Sequence, residues 1–413
     1  MIKFYDTCAL LNLQEDIFKN NDDNIWISNI TLKELEQIKN SATRDEAIKY
    51  EARKLSQLLY KNWDKCIIKM YDINFDKIII DHNLEINNDS KIIISAWDIK
   101  ENEKEIEFIT SDLNCYMTAI SIGLKSIYLD EIPIDNYTGY KIIKMDNDEL
   151  NNFYNIYLPT KQNKYELLTN QYLLIQYEDT IADKYKWAGD HYEKVNYTKT
   201  VSKMFGKINP KDDYQQAVLD SLATNKITML RGSAGTGKTL LSFGYMFQQL
   251  EKGEIDKIIV FCNTVATKGS AKLGFYPGSR TEKLLDSQIG NLLSSKLGDR
   301  IMVEKLIEEG RLVLLPMSDI RGYDTTDMNA AIYISEAQNL DIELMRLALQ
   351  RIGEDSICIL DGDFSHQVDM SLYAGSHNGM RRVSEVFRGQ DFYGEVELKN
   401  IYRSKIAKQA ELM

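Results

Sequence analysis

Hydrophobic positions over the first 130 residues alternate between short apolar runs and amphipathic stretches. Short runs rich in β-branched and aromatic residues predict strands at IKFY, NIWIS, KCIIKM, IEFITS and SIYL. Apolar residues at helical spacing predict helices between them at TLKELEQIKN, DEAIKYEARKLSQLLYKNW, DSKIIISAWDIKEN and LNCYMTAISIG. Because strands that alternate with helices form a parallel sheet covered on both faces, the pattern predicts an α/β domain over residues 1–130.

The composition of the chain changes near residue 131 and again near residue 206. Residues 131–205 are rich in Tyr, Asn and Lys, and they contain strand-like runs at YLLIQY and KWAGDHY. These runs predict a small β-rich connector. Strands and helices alternate again over residues 206–413, which predicts a second α/β domain.

A glycine-rich stretch near the start of the second α/β domain has the spacing of a nucleotide-binding loop. GSAGTGKT fits the pattern G-x-x-x-x-G-K-[ST], and it lies between the apolar run KITML and the amphipathic stretch LLSFGYMFQQL. In such a loop backbone N–H groups surround the phosphates, Lys238 reaches the β- and γ-phosphates, and Thr239 binds Mg²⁺. The predicted ATP-binding residues of the loop are Gly232, Ser233, Ala234, Gly235, Thr236, Gly237, Lys238 and Thr239.

Two further apolar runs deliver polar residues after this loop. AAIYISEAQN supplies an apolar strand that ends at Glu336, and SICILDGDFSHQ supplies one that leads to Asp363 and Gln367. A carboxylate at the end of one strand is placed to activate water, and a Gln at the end of another is placed to contact the γ-phosphate or orient the water. The order of these motifs predicts a RecA-like ATPase core, with Glu336 and Gln367 as catalytic residues.

The composition indicates an ordinary soluble protein. No apolar run reaches the roughly 18 residues that a membrane helix needs, and the start MIKFYDTCALL lacks the features of a signal peptide. Five scattered cysteines without a C-x-x-C pair indicate free thiols. We therefore expect a cytoplasmic protein with no membrane partner.

The net charge of −12 argues weakly against a nucleic-acid partner, because binding to phosphates relies on Lys and Arg. One segment has the opposite charge. KGSAKLGFYPGSRTEK carries four cations and the single acid Glu282, and its cations are Lys268, Lys272, Arg280 and Lys283. Such a run is commonly a solvated loop, and nucleic-acid contact is the other interpretation.

The C-terminal half resembles the PhoH family of ATPases, which are similar to superfamily 1 helicases. The resemblance rests on NPKDDYQQAVLDSL, GSAGTGKTLL, KLGFYPGSRTEKL, DIRGYDTT, SEAQN, LQRIGEDS, GDFSHQVD, HNGM and IYRSKIAKQA. It implies that Gln215 contacts adenine and that Arg403 or Arg351 acts as an arginine finger from a neighbouring subunit. It also implies a homo-oligomeric ring, with a hexamer as the expected form.

The chain departs from the PhoH pattern at several positions. Ser335 stands where the family has the Asp of DEAQN, which holds Mg²⁺ through water. Asn263 and Thr264 stand where Arg-Pro is common, Tyr323 replaces a second Arg, and GDFSHQ is one residue longer than GDxxQ. Since a Ser hydroxyl carries no charge, we expect weaker Mg²⁺ binding and slow ATP hydrolysis.

Four acids in the N-terminal domain stand at positions that suggest metal binding. Asp6 and Asp112 each follow a predicted strand, Asp89 opens a predicted helix, and Glu34 lies one turn into another. Asp at a strand end or a helix N-cap is commonly structural. Sites on α/β folds nevertheless gather at the carboxyl edge of the sheet, and four carboxylates there need Mg²⁺ or Mn²⁺ to offset their repulsion.

The order of these acids resembles a PIN domain, a family of metal-dependent ribonucleases. The matches are Asp6-Thr7, Glu34-Leu35 with Lys39, Asn88-Asp89 and Thr110-Ser111-Asp112. The resemblance implies that Asp6, Glu34, Asp89 and Asp112 are both metal ligands and catalytic residues. A PIN domain followed by a PhoH ATPase is a known arrangement, and YELLTNQYLLIQYED in the connector is similar to the corresponding stretch of such proteins.

Together the two resemblances imply a nuclease that cuts single-stranded RNA and an ATPase ring that feeds or unwinds it, with the basic GFYPG loop lining the pore. Two alternatives stay open from the sequence. One is an ATP-gated scaffold whose ATPase is nearly inert because of Ser335. The other is a helicase–nuclease directed at DNA.

Overall fold

The structure is a computed structural model. It describes residues 2–14, 16–19, 25–41, 46–102, 105–129, 137–196, 200–262, 288–363, 378–403 and 409. The chain divides into two compact units, Met1–Asp135 and Asn136–Met413. Each unit contains a parallel sheet of its own.

Five parallel strands form the sheet of the first unit. They are β1 (Ile2–Tyr5), β2 (Ile25–Ser28), β3 (Cys66–Lys69), β4 (Ile106–Thr110) and β5 (Ser126–Tyr128). Their order across the sheet is β3-β2-β1-β4-β5, and every neighbouring pair is parallel. Because the chain builds outward from β1 first on one side and then on the other, the strand order reverses between β1 and β4. Ligand sites in open parallel sheets lie at such a reversal.

In the described part of the first unit, seven helices accompany this sheet. They are α1 (Thr7–Leu13), α2 (Asp16–Lys19), α3 (Asn29–Asn40), α4 (Glu46–Lys61), α5 (Phe75–Asp81), α6 (Asn88–Glu101) and α7 (Leu113–Ser121). Adjacent residues of β1 face different layers, as expected from the pleat of a strand. Tyr5 packs in a cluster with Leu10 and Leu35, whereas Phe4 packs with Phe108 and Ile93 in a second cluster. The predicted parallel sheet with helices on both faces is therefore confirmed.

The second unit begins with a small β structure. It contains β6 (Tyr140–Lys144), α8 (Asn147–Asn152), β7 (Tyr172–Tyr177), β8 (Thr180–Trp187), β9 (Tyr192–Lys194), β10 (Thr200–Ser202) and β11 (Gly206–Ile208). Strands β6 to β9 form one mixed sheet, and β10 pairs with β11 in a hairpin. YLLIQY forms β7 as predicted. KWAGDHY is not one strand, because the chain turns back between β8 and β9 with Gly189 at φ 103°.

This β structure packs on the rest of its unit. The Asn170 side-chain amide donates to three backbone carbonyls, those of Gln390, Asp391 and Tyr393, at 3.2, 2.9 and 3.1 Å. The Tyr172 hydroxyl donates to Asp220 at 2.9 Å. The boundaries of a separate connector at 131–205 stay a prediction.

Six parallel strands form the main sheet of the second unit. They are β12 (Ile227–Arg231), β13 (Lys257–Cys262), β14 (Leu312–Pro316), β15 (Ala330–Ile334), β16 (Ile357–Gly362) and β17 (Tyr393–Glu397). Their order is β14-β13-β15-β16-β12-β17. Because all six run in one direction, the residues that follow β12, β15 and β16 meet at one edge. The predicted α/β class is confirmed for both units.

The described helices around this sheet are α9 (Asp213–Thr224), α10 (Lys238–Lys252), α11 (Gln288–Leu297), α12 (Arg300–Glu308), α13 (Ile342–Leu349) and α14 (Gly379–Phe387). Helix α10 packs its apolar face on the sheet through Phe243 and Phe247, both fully buried. This packing fixes the N-terminus of α10 at the edge where β12 ends. Within the described ranges, no helix combines the length and the apolar character needed to cross a bilayer.

Candidate functional sites

The glycine-rich loop connects β12 to α10 and closes tightly against a neighbouring segment. Gly232 has φ 132°, and a Cβ at this position would lie 2.3 Å from the Leu398 carbonyl oxygen. Since a left-handed backbone and a backbone neighbour both exclude a side chain, only glycine fits here. Inside the loop the Thr236 hydroxyl donates to the Ser233 carbonyl at 3.0 Å. The loop is thus held in one shape by its own contacts.

We expect Gly232→Ala to weaken ATP binding about tenfold, or about 1.4 kcal/mol, because the added Cβ forces the loop away from Leu398. Gly253→Ala is the matched control. Gly253 also has a positive φ, of 72°, but nothing lies within 4 Å of the Cβ it would carry. Equal nucleotide affinities of the two variants in a fluorescence titration would contradict the steric argument.

Lys238 and Thr239 open helix α10 and turn their polar groups into the loop. The Lys238 ammonium donates to the Gly232 carbonyl at 2.5 Å and to the Ser233 carbonyl at 3.2 Å. The Thr239 hydroxyl donates to Oδ2 of Asp361 at 3.0 Å. A helix N-terminus, an ammonium group and a hydroxyl therefore converge at the place where the sequence predicts that phosphates and their metal ion bind.

The end of β15 places Ser335 and Glu336 in different surroundings. Ser335 is buried, and its hydroxyl donates to the Phe261 carbonyl at 3.2 Å. Glu336 is exposed and has φ 48°, in the left-handed region. A non-glycine residue in that region is uncommon and is frequent at functional sites. Gln338 donates to the Glu336 carboxylate at 2.6 Å, which holds the carboxylate at the strand end.

The end of β16 provides two buried acids, Asp361 and Asp363. The Asp363 N–H donates to the side-chain carbonyl of Gln338 at 3.3 Å, which joins the ends of β15 and β16. Gln367 lies outside the described residues, as do Asn263, Thr264 and the basic segment from Lys268 to Lys283. Their predicted roles stay predictions.

Gln215 lies in helix α9 against the phosphate loop. Its amide donates to the Thr236 carbonyl at 2.9 Å, and its amide oxygen accepts from the Lys211 N–H at 2.8 Å. With Tyr402 and Arg403 it lines an open cavity of about 680 Å³ beside Gly235. This position suits the base of a nucleotide, and the predicted adenine contact of Gln215 stays a prediction.

The two candidate arginine fingers lie at opposite ends of the parallel strands of the main sheet. The Cβ of Arg403 lies 2.7 Å from the place a Cβ on Gly235 would take, next to the phosphate loop of its own chain. Arg351 precedes β16, at the edge where the parallel strands begin, and its carbonyl accepts from the Thr325 hydroxyl at 2.6 Å. Arg403 therefore lies beside the phosphate loop of its own chain and Arg351 does not, and the predicted arginine-finger role of either residue stays a prediction.

Asp6 is the buried centre of the candidate site in the N-terminal unit. It ends β1 and caps α1, and its carboxylate accepts from the Thr7 N–H at 2.6 Å and from the Thr110 hydroxyl at 2.8 Å. Thr110 ends β4, the neighbouring strand, so these contacts lie where the strand order reverses. Burial is the main reason that the pKa of Asp6 is raised to about 6; hydrogen bonds from Thr110 and Thr7 lower this pKa, and the charges of Asp89 and Glu34 raise it.

The other three acids reach the same edge from three helices. The Thr7 hydroxyl donates to Glu34 of α3 at 2.5 Å. Asp112 caps α7 and accepts from the Cys115 N–H at 2.9 Å. Asp89 lies in the first turn of α6, and its pKa is raised by desolvation and by the charges of Glu34 and Asp112.

The pKa of the Cys8 thiol is affected by all four acids. Partial desolvation, followed by the negative charges of four acids, raises the pKa of its thiol to about 12; these acids are Asp6, Asp112, Glu34 and Asp89. Among the described residues, however, no three Asp, Glu, His or Cys side chains form a ready-made cage for a metal ion. Mg²⁺ keeps several waters and needs only one or two carboxylates, so an open, strongly negative edge of this kind fits such an ion.

Sequence reasoning missed several polar groups in the two sites. Asp361 stands inside the apolar run ICILD, and a buried acid that interrupts such a run needs a partner, which is a usable signal. Gln338 and Thr110 stand inside the motifs SEAQN and Thr110-Ser111-Asp112, but their contacts with Asp363 and Asp6 were not predicted, because each of these contacts joins the ends of two different strands.

The comparisons with known proteins agree with this division of the chain. The family model described as "PhoH-like protein" matches residues 207–413, and the model described as "PIN domain" matches residues 4–129. Protein PhoH2 of Bacillus subtilis is 29% identical over 355 residues, which cover 79% of this chain and 78% of that protein. Protein PhoH2 of Thermobispora bispora is 26% identical over 338 residues, covering 78% and 73%. A PhoH-like protein of Mycobacterium tuberculosis is 30% identical over 196 residues, covering 47% and 53%.

The fold and the loop between β12 and α10 define a P-loop nucleotide-binding protein with a second α/β unit at its N-terminus. The chain belongs to the PhoH-like protein family, and it carries a PIN domain fused to its PhoH-like domain. The two domain types imply nuclease and ATPase activities.

Proposed function

We propose that the protein is an ATP-dependent RNA-processing enzyme, in which a metal-dependent ribonuclease acts on single-stranded RNA and is coupled to a PhoH-like ATPase. The observation that carries this proposal is the clustered negative charge at the strand-order reversal of the PIN domain. It occurs in a chain that also has a complete phosphate loop.

In the nuclease site the four acids are proposed to act as one unit. A divalent ion held there would supply a water of lowered pKa and stabilise the leaving oxygen of the phosphodiester. Asp6 is the fixed member, because two hydrogen bonds hold its buried carboxylate. Glu34, Asp89 and Asp112 are more accessible, so they are placed to adjust to the ion, to its waters and to an RNA phosphate.

In the ATPase site the loop is proposed to bind the phosphates and Glu336 to activate the attacking water. Lys238 exchanges its two carbonyl partners for the β- and γ-phosphates. Glu336 is exposed and positioned by Gln338, so its carboxylate can accept a proton from a water molecule. Arg403 is placed to contact a phosphate bound to its own loop.

The ring, the RNA preference and any unwinding activity are drawn from the PhoH resemblance. A ring gives Arg351 a neighbouring loop to reach, because Arg351 lies at the edge of the sheet opposite its own loop. Cleavage of DNA in preference to RNA would instead favour a helicase–nuclease directed at DNA.

One experiment tests the proposed function. The purified chain is incubated with labelled single-stranded RNA and DNA, with and without Mg²⁺, Mn²⁺ and ATP, and strand cleavage and phosphate release are followed together. We expect metal-dependent RNA cleavage that ATP stimulates. No cleavage of either nucleic acid with any metal would contradict the ribonuclease.

A second candidate function is an ATP-gated oligomeric scaffold. The observation that favours it is Ser335, whose hydroxyl is bonded to the Phe261 carbonyl and carries no charge. In this scheme nucleotide occupancy controls the PIN domain or a partner while hydrolysis is nearly absent. ATP binding without measurable phosphate release would favour the scaffold.

A further inference from the structure

The phosphate loop supplies the Thr239 hydroxyl for the metal ion of Mg²⁺-ATP. At position 335, where an acid is expected, the chain has a serine. Ser335 is buried and its hydroxyl donates to Phe261 on β13, the strand on the side away from the loop. A magnesium ion beside Thr239 needs a carboxylate in its surroundings, since Mg²⁺ in nucleotide sites is held by one or two carboxylates together with phosphates. The described part of the site offers such a group on another strand.

Asp361 lies next to the loop residues that meet the phosphates and their ion. Its Oδ2 accepts from the Thr239 hydroxyl at 3.0 Å and also from the hydroxyl of the buried Tyr333. Its Oδ1 lies 3.8 Å from the Lys238 ammonium. Only 5% of Asp361 is exposed, so its charge acts through a medium of low dielectric and is weakly screened.

The sheet register shows how this acid relates to Ser335. Ile334 of β15 pairs with Leu360 of β16, so Asp361 lies at the same level of the sheet as Ser335, one strand over. Strand β16 lies directly beside β12, which leads into the loop. The carboxylate is therefore one strand nearer to Thr239 than an acid at position 335 would be.

We propose that Asp361 is the carboxylate that positions the magnesium ion of bound Mg²⁺-ATP, in place of the acid missing at position 335. Tyr333 and Thr239 orient the carboxylate through Oδ2. If Lys238 turned to the phosphates, Oδ1 would lose its nearby cation and would be free to hold a magnesium ion through its waters. This inference rests on the proposed ATP site and assigns its metal-positioning residue.

A purely structural role for Asp361 predicts different behaviour. If the carboxylate only holds Lys238 and Thr239 in the nucleotide-free loop, its removal changes ATP affinity by the same factor with and without metal. A metal-positioning role links Asp361 to Mg²⁺, so its removal lowers the ATP affinity only when Mg²⁺ is present.

The test is a titration of the full chain with a fluorescent ATP analogue, in EDTA and in Mg²⁺, for three proteins. The wild type is expected to bind more tightly in Mg²⁺. Asp361→Asn keeps the shape of the side chain and an acceptor for Thr239. We expect the ratio of its ATP affinities in Mg²⁺ and in EDTA to be at least tenfold smaller than that of the wild type. In EDTA its affinity should be equal or higher, because a negative charge near the phosphates has been removed. Ser335→Ala is the matched control at the neighbouring strand end, and it should keep the wild-type Mg²⁺ effect.

The outcomes separate the inference from the function it rests on. Wild-type protein that binds no ATP in either condition would contradict the ATP site itself. ATP binding with an undiminished Mg²⁺ effect in Asp361→Asn would overturn the role of Asp361 alone. If Asp361→Asn does not fold, Ser335→Ala decides: a tenfold loss of the Mg²⁺ effect assigns the metal to position 335 and overturns the inference, whereas an unchanged effect supports Asp361.

Discussion

Lys238→Ala is expected to lower ATP affinity by tenfold or more, at least about 1.4 kcal/mol. The ammonium lies inside the loop, with the Gly232 and Ser233 carbonyls as its partners in the structure. Those neutral carbonyls are weaker partners than the phosphates, because an ammonium and a phosphate carry opposite full charges that attract each other. Titration with a fluorescent ATP analogue measures the change directly.

Lys252→Ala is the matched control for this prediction. Lys252 is an exposed residue in the last turn of the same helix α10, so its removal takes away one positive charge without touching the loop. We expect its ATP affinity to equal that of the wild type. Unchanged ATP binding by Lys238→Ala, with both variants folded, would show that the loop is not the nucleotide site.

The phosphate loop was predictable from sequence because its determinants are local. The loop residues lie next to one another in the chain, and an apolar strand and an amphipathic helix flank them on either side. Asp361 was not predicted, although it lies two residues from the predicted Asp363. Its role depends on Thr239 and Tyr333, which lie on other elements, and only the register of β15 against β16 brings these groups together.

In the N-terminal unit, too, features set by local sequence were predictable and features set by contacts between elements were not. Its five strands were predicted from their apolar runs, and the parallel order followed from their alternation with helices. Helices α1, α2 and α5 were not predicted. Helix α1 is only seven residues long, and its start depends on the Asp6 side chain, which accepts from the Thr7 N–H. Single-sequence periodicity gives little signal for helices this short.

The largest expected effect in the N-terminal unit is on RNA cleavage. We expect Asp6→Asn to abolish metal-dependent cleavage while ATP affinity stays at the wild-type value, since the PhoH-like domain has its own nucleotide loop. Asn retains an acceptor for the Thr7 N–H and can donate to the Thr110 hydroxyl, so the variant should keep its fold. Asp98→Asn is the matched control: Asp98 pairs with Lys69 at 2.5 Å, and this variant should still cleave.

The stability of the metal-free protein gives this prediction a second readout. Burial raises the pKa of Asp6 to about 6, so the folded unit holds the proton more tightly than the unfolded chain does. The stability of the unit therefore falls as the pH rises from about 4 to about 6, and it stays reduced above that, by up to roughly 3 kcal/mol. Asp6→Asn carries no charge and escapes this loss, so at pH 7.5 the N-terminal unit of the metal-free variant should melt at a higher temperature than that of the wild type.

Adding Mn²⁺ should reverse the order of the melting temperatures of the wild type and Asp6→Asn. An ion that binds only the folded state stabilises it, so the wild-type melting temperature should rise in Mn²⁺ and that of Asp6→Asn should rise less. Without metal, Asp98→Asn should lose stability, because it breaks the ion pair with Lys69. Asp6→Asn should gain stability under the same conditions. If Asp6→Asn also destabilises the metal-free unit and still cleaves RNA, Asp6 is a structural cap of α1, and the four acids do not form a nuclease site.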